Sequence, residues 1–361
     1  MGTEPPLTLS AWGSSLKSRY PTAASLRLQL DDFGIEVRVN REELQRRLCE
    51  YFEPFVAEAA EPMTTVFIHE GAVPPIPVPL QIHPPGPGKT KIKEEFCDLP
   101  DGRLVRKHQT GLVLAFNNGE HHAVGPCLAN VNQVVNFINH VFIADKLRQG
   151  GLLAHAAGVA MHERGLALAG ASGTGKSTLA LHLLGRGARY VSNDRLVLLR
   201  EADRIGMYGV AKWPRVNPGT ILHARQLHSL LDPEELRRYA GMDPCELWSV
   251  EHKHDVFLER SFGAGTTTLH HGLHGLVLLD WRLGGGACRV CETDLSRRPD
   301  LLAAVRKSPG VFFRDQKHPA CDFSESAYLR LLQSIPCLEI SGGVDFETAA
   351  MACEEQLLSS S

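Results

Sequence analysis

The run Gly170-Ala171-Ser172-Gly173-Thr174-Gly175-Lys176-Ser177 puts a lysine and a serine directly after the last of three glycines. The apolar stretch LALAG precedes it, and TLALHLLGRG follows with helical character. A strand, a glycine-bent loop and a helix are therefore expected in that order. The glycines let successive backbone N–H groups turn inward, and the positive end of the helix adds to their field. Such a loop suits a nucleotide phosphate chain. Ala171, Ser172, Gly173, Thr174 and Gly175 would line it together with Gly170 and Thr178. Lys176 would reach the β- and γ-phosphates of ATP, and Ser177 would ligate Mg²⁺.

An acid follows early. Asp194 stands 24 residues after Gly170, within the run RYVSNDR. One short helix and one returning strand would bring it back to the strand end beside the loop. There it can hold Mg²⁺ through water or accept a proton from an acceptor hydroxyl. His155 lies 15 residues before Gly170. Read only as a strand residue, His155 packs on the same face as Val159 and Met161.

Residues 152–199, LLAHAAGVAMHERGLALAGASGTGKSTLALHLLGRGARYVSNDRLVLL, resemble the HPr kinase/phosphorylase family. That family shows a histidine before a strand pair, a G-x-S-G-x-G-K-S loop and an acidic pair followed by arginine. Its fold is related to phosphoenolpyruvate carboxykinase. The resemblance implies an α/β fold: a P-loop kinase core of the phosphoenolpyruvate-carboxykinase/HPr-kinase type behind a smaller α+β domain. It implies ATP and Mg²⁺ as cofactors, with phosphoryl transfer to a hydroxyl acceptor, either a protein serine or a small molecule. Asp194 becomes the general base, and His155 sits near the γ-phosphate and the acid. By analogy the assembly is a homo-oligomer.

Two departures stand out. Asn193 replaces the first acid of the pair, and GMYGVAKWPRVNPGT stands where the family carries a long glycine-rich signature. An asparagine there can donate a hydrogen bond that orients Asp194 and keeps it ionised. Two rival functions follow: a nucleotide-sensing scaffold, which Asn193 favours, and an ATPase with water as acceptor. Arg215, beside Trp213-Pro214 with Lys212, is a further candidate for phosphate contact, since a guanidinium matches planar phosphate geometry.

The preceding half carries no such chemistry. LRLQL and IEVRV alternate as a hairpin, and REELQRRLCEYFEPFVAEA reads as an amphipathic helix capped by Asn40 with Glu43 three residues on. Seven prolines between Pro74 and Pro87 mark an extended connector or edge. NVNQVVNFINHVFIADKLRQGG is a strong helix that Gly150 can end. The domain boundary is placed at its end, giving residues 1–148 and 149–361.

With 43% hydrophobic and 22% charged residues among 361, the chain can bury a core, and a net charge of −3 gives no reason to expect nucleic-acid or membrane partners. No apolar run is long enough to span a bilayer, and the acid-bearing start MGTEPPLTLS is no secretory signal. Pro6 departs from the myristoylation pattern. Nine scattered cysteines fit a reducing cytoplasmic setting. Cys288 and Cys291 fall on a strand, where positions three apart point to opposite faces, so they are not expected to chelate a metal. The histidines of EHKHD and HHGLH lack supporting ligand spacing.

Overall fold

The computed structural model describes residues 7–86, 90–117, 119–314 and 321–358. Pro87, Gly2 and Pro6, and one asparagine of the NNGE turn, lie outside them. The fold is mixed α/β, and its two large sheets are both mixed. Contacts divide the chain into two compact units, Met1–Arg148 with Pro309–Cys321, and Gln149–Ser308 with Asp322–Ser361. The segment Pro309–Cys321 thus groups with the first unit, across the boundary drawn at residue 148 from the sequence.

The first unit is built on an eight-stranded sheet. Ala24–Leu30 and Phe33–Val39 form the expected antiparallel hairpin. Thr64–Glu70 joins it in parallel and pairs in parallel with Glu120–Gly125. Among its described residues the proline-rich stretch contributes the edge strand Gln81–Ile82. Asn40 does not cap a helix. Its amide exchanges hydrogen bonds with the Glu70 backbone at 2.8 and 2.9 Å, and the helix starts at Glu42 with Arg41 as its N-cap. Strand registry thus claims the side chain that the local pattern had assigned to capping. A helix not foreseen, Leu9–Arg19, packs Leu9, Trp12 and Leu16 onto the sheet, and the Asp101 carboxylate accepts from the Leu9 and Ser10 amides at its start. Carboxylates are stabilised at that end of a helix.

The second unit carries a nine-stranded sheet. Its centre is Arg164–Gly170, buried on both faces except at Arg164, as strands with a parallel neighbour are when helices cover each face. The long strand His270–Arg282 lies parallel to it, with Gly170 opposite Leu279. Farther back, the same long strand turns antiparallel to Ile205–Tyr208. On one face Ala167, Ala169, Leu276 and Leu278 share a core with the helices Pro299–Val305 and Glu325–Leu332. The helices Lys176–Gly185 and Phe346–Leu358 pack together against the sheet, with His182 stacked on Phe346 at 5.3 Å.

The order Arg189–Ser192, Ala156–Met161, Arg164–Gly170 decides what meets at one sheet edge. Ala156 is opposite Ala169, and Gly158 is opposite Ser192. His155, Gly170 and the Asn193-Asp194 turn therefore come to the same end. The returning strand is not next to the loop strand, because the strand that begins after His155 lies between them. Among the described residues no helix is long and apolar enough to cross a membrane.

Candidate functional site

The loop has the expected local form: Arg164–Gly170 is a strand, and Lys176–Gly185 is a helix. Gly170, Gly173 and Gly175 take φ values of 152°, 86° and 88°, a region that side chains with a Cβ rarely enter. A Cβ on Gly175 would also sit 2.9 Å from the Phe346 ring. The Lys176 Nζ donates to the carbonyls of Gly170 (2.8 Å) and Ala171 (2.9 Å), so its ammonium lies curled into the loop. The Thr174 hydroxyl donates to Ala171 O at 2.9 Å. Ser172 is exposed. The Ser177 hydroxyl, half-buried in the first helical turn, makes no hydrogen bond among the described residues. Thr178 faces away: its hydroxyl is buried against that of Thr220 at 3.1 Å.

Asp194 is gripped from two sides. His155 Nε2 lies 2.9 Å from Oδ1, and Lys307 Nζ donates to Oδ2 at 2.8 Å. His155 stands in the break between the strands Leu152–Ala154 and Ala156–Met161, its side chain on Asp194 and not in the strand face with Val159. Burial alone would raise the Asp194 pKa, but the His155 hydrogen bond and the Lys307 charge outweigh it and hold the carboxyl well below the usual range. The acid is therefore ionised at neutral pH. Ser192 shapes its turn by donating to Arg195 O at 2.5 Å.

Asn193 does not do what its position suggested. No hydrogen bond among the described residues joins it to Asp194, and its Oδ1 is buried without a partner. The orienting groups are His155 and Lys307 instead.

Several cations share the field of Asp194. Burial lowers the Lys176 pKa, with Asp194 opposing and Lys307 reinforcing the shift. Burial also lowers Arg195, again opposed by Asp194. Lys212 falls to about 8 through burial and the charge of Arg195, with Asp194 opposing and Arg215 reinforcing. Arg215 itself belongs to a separate two-stranded sheet, Arg215–Val216 with His254–Asp255, and its Nε lies 3.2 Å from Asp255. The fold thus brings Lys176, His155 and Asp194 to one edge, while Arg215, paired with Asp255, acts on Lys212.

Lys307 and Phe346 were not foreseen, nor was a role for Trp281. The Trp281 Nε1–H donates to Thr174 O at 2.6 Å, and the Trp281 and Phe346 rings meet edge-on at 5.1 Å beneath the loop. No short motif announces these residues. The ending LLDW, on a strand in parallel register with the loop strand, is the one local signal for Trp281.

Among the described residues no group of three or more His, Cys, Asp or Glu is placed to hold a metal. A Mg²⁺ that enters with phosphates needs only one or two protein oxygens. The unpartnered Ser177 hydroxyl, with Asp194 ionised at the same sheet edge, fits that need. Cys288 and Cys291 are free thiols on the strand Cys288–Glu292, where positions three apart face opposite ways, so they form no chelating pair. His270 bonds Glu201 at 2.6 Å, and His274 Nδ1 accepts from the Gly165 amide at 3.1 Å.

No family model and no curated protein matches the chain. Among solved structures it is similar to an Hpr(Ser) kinase/phosphatase from Coxiella burnetii. The alignment has a TM-score of 0.28 and 12% identity, and covers 57% of this chain and 93% of that one. A likeness this faint decides neither fold nor chemistry.

Proposed function

We propose that the second unit binds ATP with Mg²⁺ at the loop Gly170–Ser177 and transfers the γ-phosphoryl group to a hydroxyl acceptor. The observation that carries this reading is the meeting of the loop, with Lys176 curled inside it, and the His155–Asp194 pair at one sheet edge. The resemblance of residues 152–199 to HPr kinase/phosphorylase agrees with it. Displaced by phosphate, the Lys176 ammonium would turn from two carbonyls to the β- and γ-oxygens. Ser177 would hold Mg²⁺, with Asp194 joining through water, and the ion would neutralise phosphate charge when bound.

The acceptor oxygen bonds to the γ-phosphorus as the bond from that phosphorus to the β,γ-bridging oxygen breaks. The electron pair leaves with ADP. The hydroxyl proton passes to Asp194 and then to solvent. An acid this weakly basic serves a loose transition state, in which little proton transfer precedes bond cleavage and positioning supplies most of the acceleration.

A second reading is a nucleotide-sensing scaffold without transfer. The neutral Asn193 and the double engagement of Asp194 favour it. Incubation with γ-labelled ATP, Mg²⁺ and cell extract separates the two. A labelled acceptor that disappears with Lys176→Ala supports the kinase. Free labelled phosphate alone indicates an ATPase, and neither product leaves the scaffold.

A further inference from the structure

Lys307 reaches Asp194 from a segment whose main chain is pinned on both sides. The helix Pro299–Val305 ends, and the chain then runs against the strand Leu152–Ala154. Ala154 bridges Arg306, the Lys307 amide donates to Leu153 O at 3.1 Å, and the His155 amide donates to Val305 O at 2.7 Å. The Tyr328 hydroxyl adds a bond to Leu153 O and a 3.4 Å bond to Lys307 O. The backbone of Lys307 is thus fixed beside that of His155, and only the four-carbon stem can re-aim.

The ammonium at its tip lies 2.8 Å from Asp194 Oδ2 and 3.4 Å from Asp194 O. It also acts on Lys176, so the two ammonium groups lie within electrostatic reach of each other. As a purely structural bond the contact is a poor one. Asp194 already has His155, and with its side chain 49% exposed and that of Lys307 26% exposed the pair adds only modest stability. A terminal phosphate offers three strong acceptor oxygens and more charge than one carboxylate, and an ammonium has three N–H donors to give.

We infer that Lys307 is a γ-phosphate ligand, which exchanges the Asp194 carboxylate for the terminal phosphate when a nucleoside triphosphate enters. This rests on the nucleotide reading of the Gly170–Ser177 loop. Two ammonium groups then hold the γ-phosphate, Lys176 from the loop and Lys307 from across the edge. The exchange exposes Asp194 Oδ2 to an acceptor hydroxyl only once the triphosphate is in place, so a diphosphate leaves the acid covered.

The test compares binding of ADP and the non-hydrolysable ATP analogue AMP-PNP, each with Mg²⁺, by calorimetry on the full chain. In Lys307→Met, AMP-PNP affinity is expected to fall about tenfold while ADP affinity stays within about twofold of wild type. Lys307→Arg, which keeps the charge and the fold-neutral stem, should recover most of the loss. Equal weakening of both nucleotides, or of neither, in folded Lys307→Met overturns the inference and leaves the loop reading standing. Should Lys307→Met not fold, Lys307→Gln takes its place: a loss of AMP-PNP affinity with ADP unchanged supports the contact, and equal effects on both nucleotides, or on neither, overturn it. A wild-type protein that binds neither nucleotide removes the loop reading, and the inference with it.

Discussion

The indole N–H of Trp281 donates to the carbonyl of Thr174 across 2.6 Å, tying the loop to the neighbouring strand. Trp281 is 5% exposed and meets Phe346 edge-on. Trp281→Phe keeps most of the ring and removes the donor, leaving a carbonyl of the loop without its partner. A stability loss of about 1–3 kcal/mol is expected, together with weaker nucleotide binding. Urea unfolding and AMP-PNP titration check both. Lost stability with unchanged affinity would show that the loop keeps its shape without this bond.

The glycines of the loop differ in what a methyl group would meet. At Gly173, φ is 86° and nothing lies within 4 Å of a built Cβ, so Gly173→Ala bears only the backbone penalty of about 1–2 kcal/mol. At Gly175, φ is 88° and the Phe346 ring is 2.9 Å away, so Gly175→Ala must also displace an aromatic ring. It should be the more destabilising of the two and should lose nucleotide binding. Thermal unfolding of both variants decides, and equal losses would mean that the Phe346 contact yields easily.

Lys176→Ala and Asp194→Asn should fail differently. Lys176 is 7% exposed and its ammonium is disfavoured by burial, so its removal should leave stability close to wild type while transfer falls at least about a hundredfold. Asp194→Asn keeps the shape, lacks the charge that His155 and Lys307 grip, and should bind ATP yet not transfer. Lost ATP affinity in Asp194→Asn would make the acid chiefly a metal ligand. Wild-type turnover in folded Lys176→Ala would end the nucleotide reading.

The first unit should be acid-sensitive. Phe67 and His122 stack at 4.9 Å, His69 lies 3.3 Å from the His122 ring nitrogen, and His121 is buried next along the strand. Burial, joined by neighbouring positive charge, pushes His69 down to about 4 and His121 and His122 to about 3. Unfolded histidines bind protons near pH 6.5, so below that the unfolded chain takes up more protons than the native one. Stability is therefore full above about pH 6.5 and declines as pH falls towards 3, by on the order of several kcal/mol in all. Urea midpoints at pH 7.5 and pH 5 test this, and equal midpoints would refute it.

Much of the site was legible because its signals are local. Glycine spacing, a lysine and serine at a helix start, and an acid one strand later are all read within a few dozen residues. Lys307 was not legible. It follows Lys176 by well over a hundred residues, and what brings it in is the backbone bridge between Ala154 and Arg306. Asn40 shows the other limit. Its obvious local role is a helix cap, and its side chain is taken instead by a distant partner, the Glu70 backbone. The Asn193 side chain, expected to steer Asp194, makes no bond to it among the described residues; His155 and Lys307 hold the carboxylate instead.

The strand that begins after His155 also acts as a spacer. It separates the loop strand from the strand that leads to Asp194. Each interstrand step is about 4.8 Å, so the two strand ends stand roughly 10 Å apart. That width is a property of the main chain and not of the side chains at the edge. It is held by main-chain hydrogen bonds, with one irregularity between Gly158 and Val159. Exchanging side chains at the edge can alter what binds in the gap but cannot change its span. Only a slip of the strand past its neighbours would do that, and the slip would turn the Ala156–Met161 core residues outward.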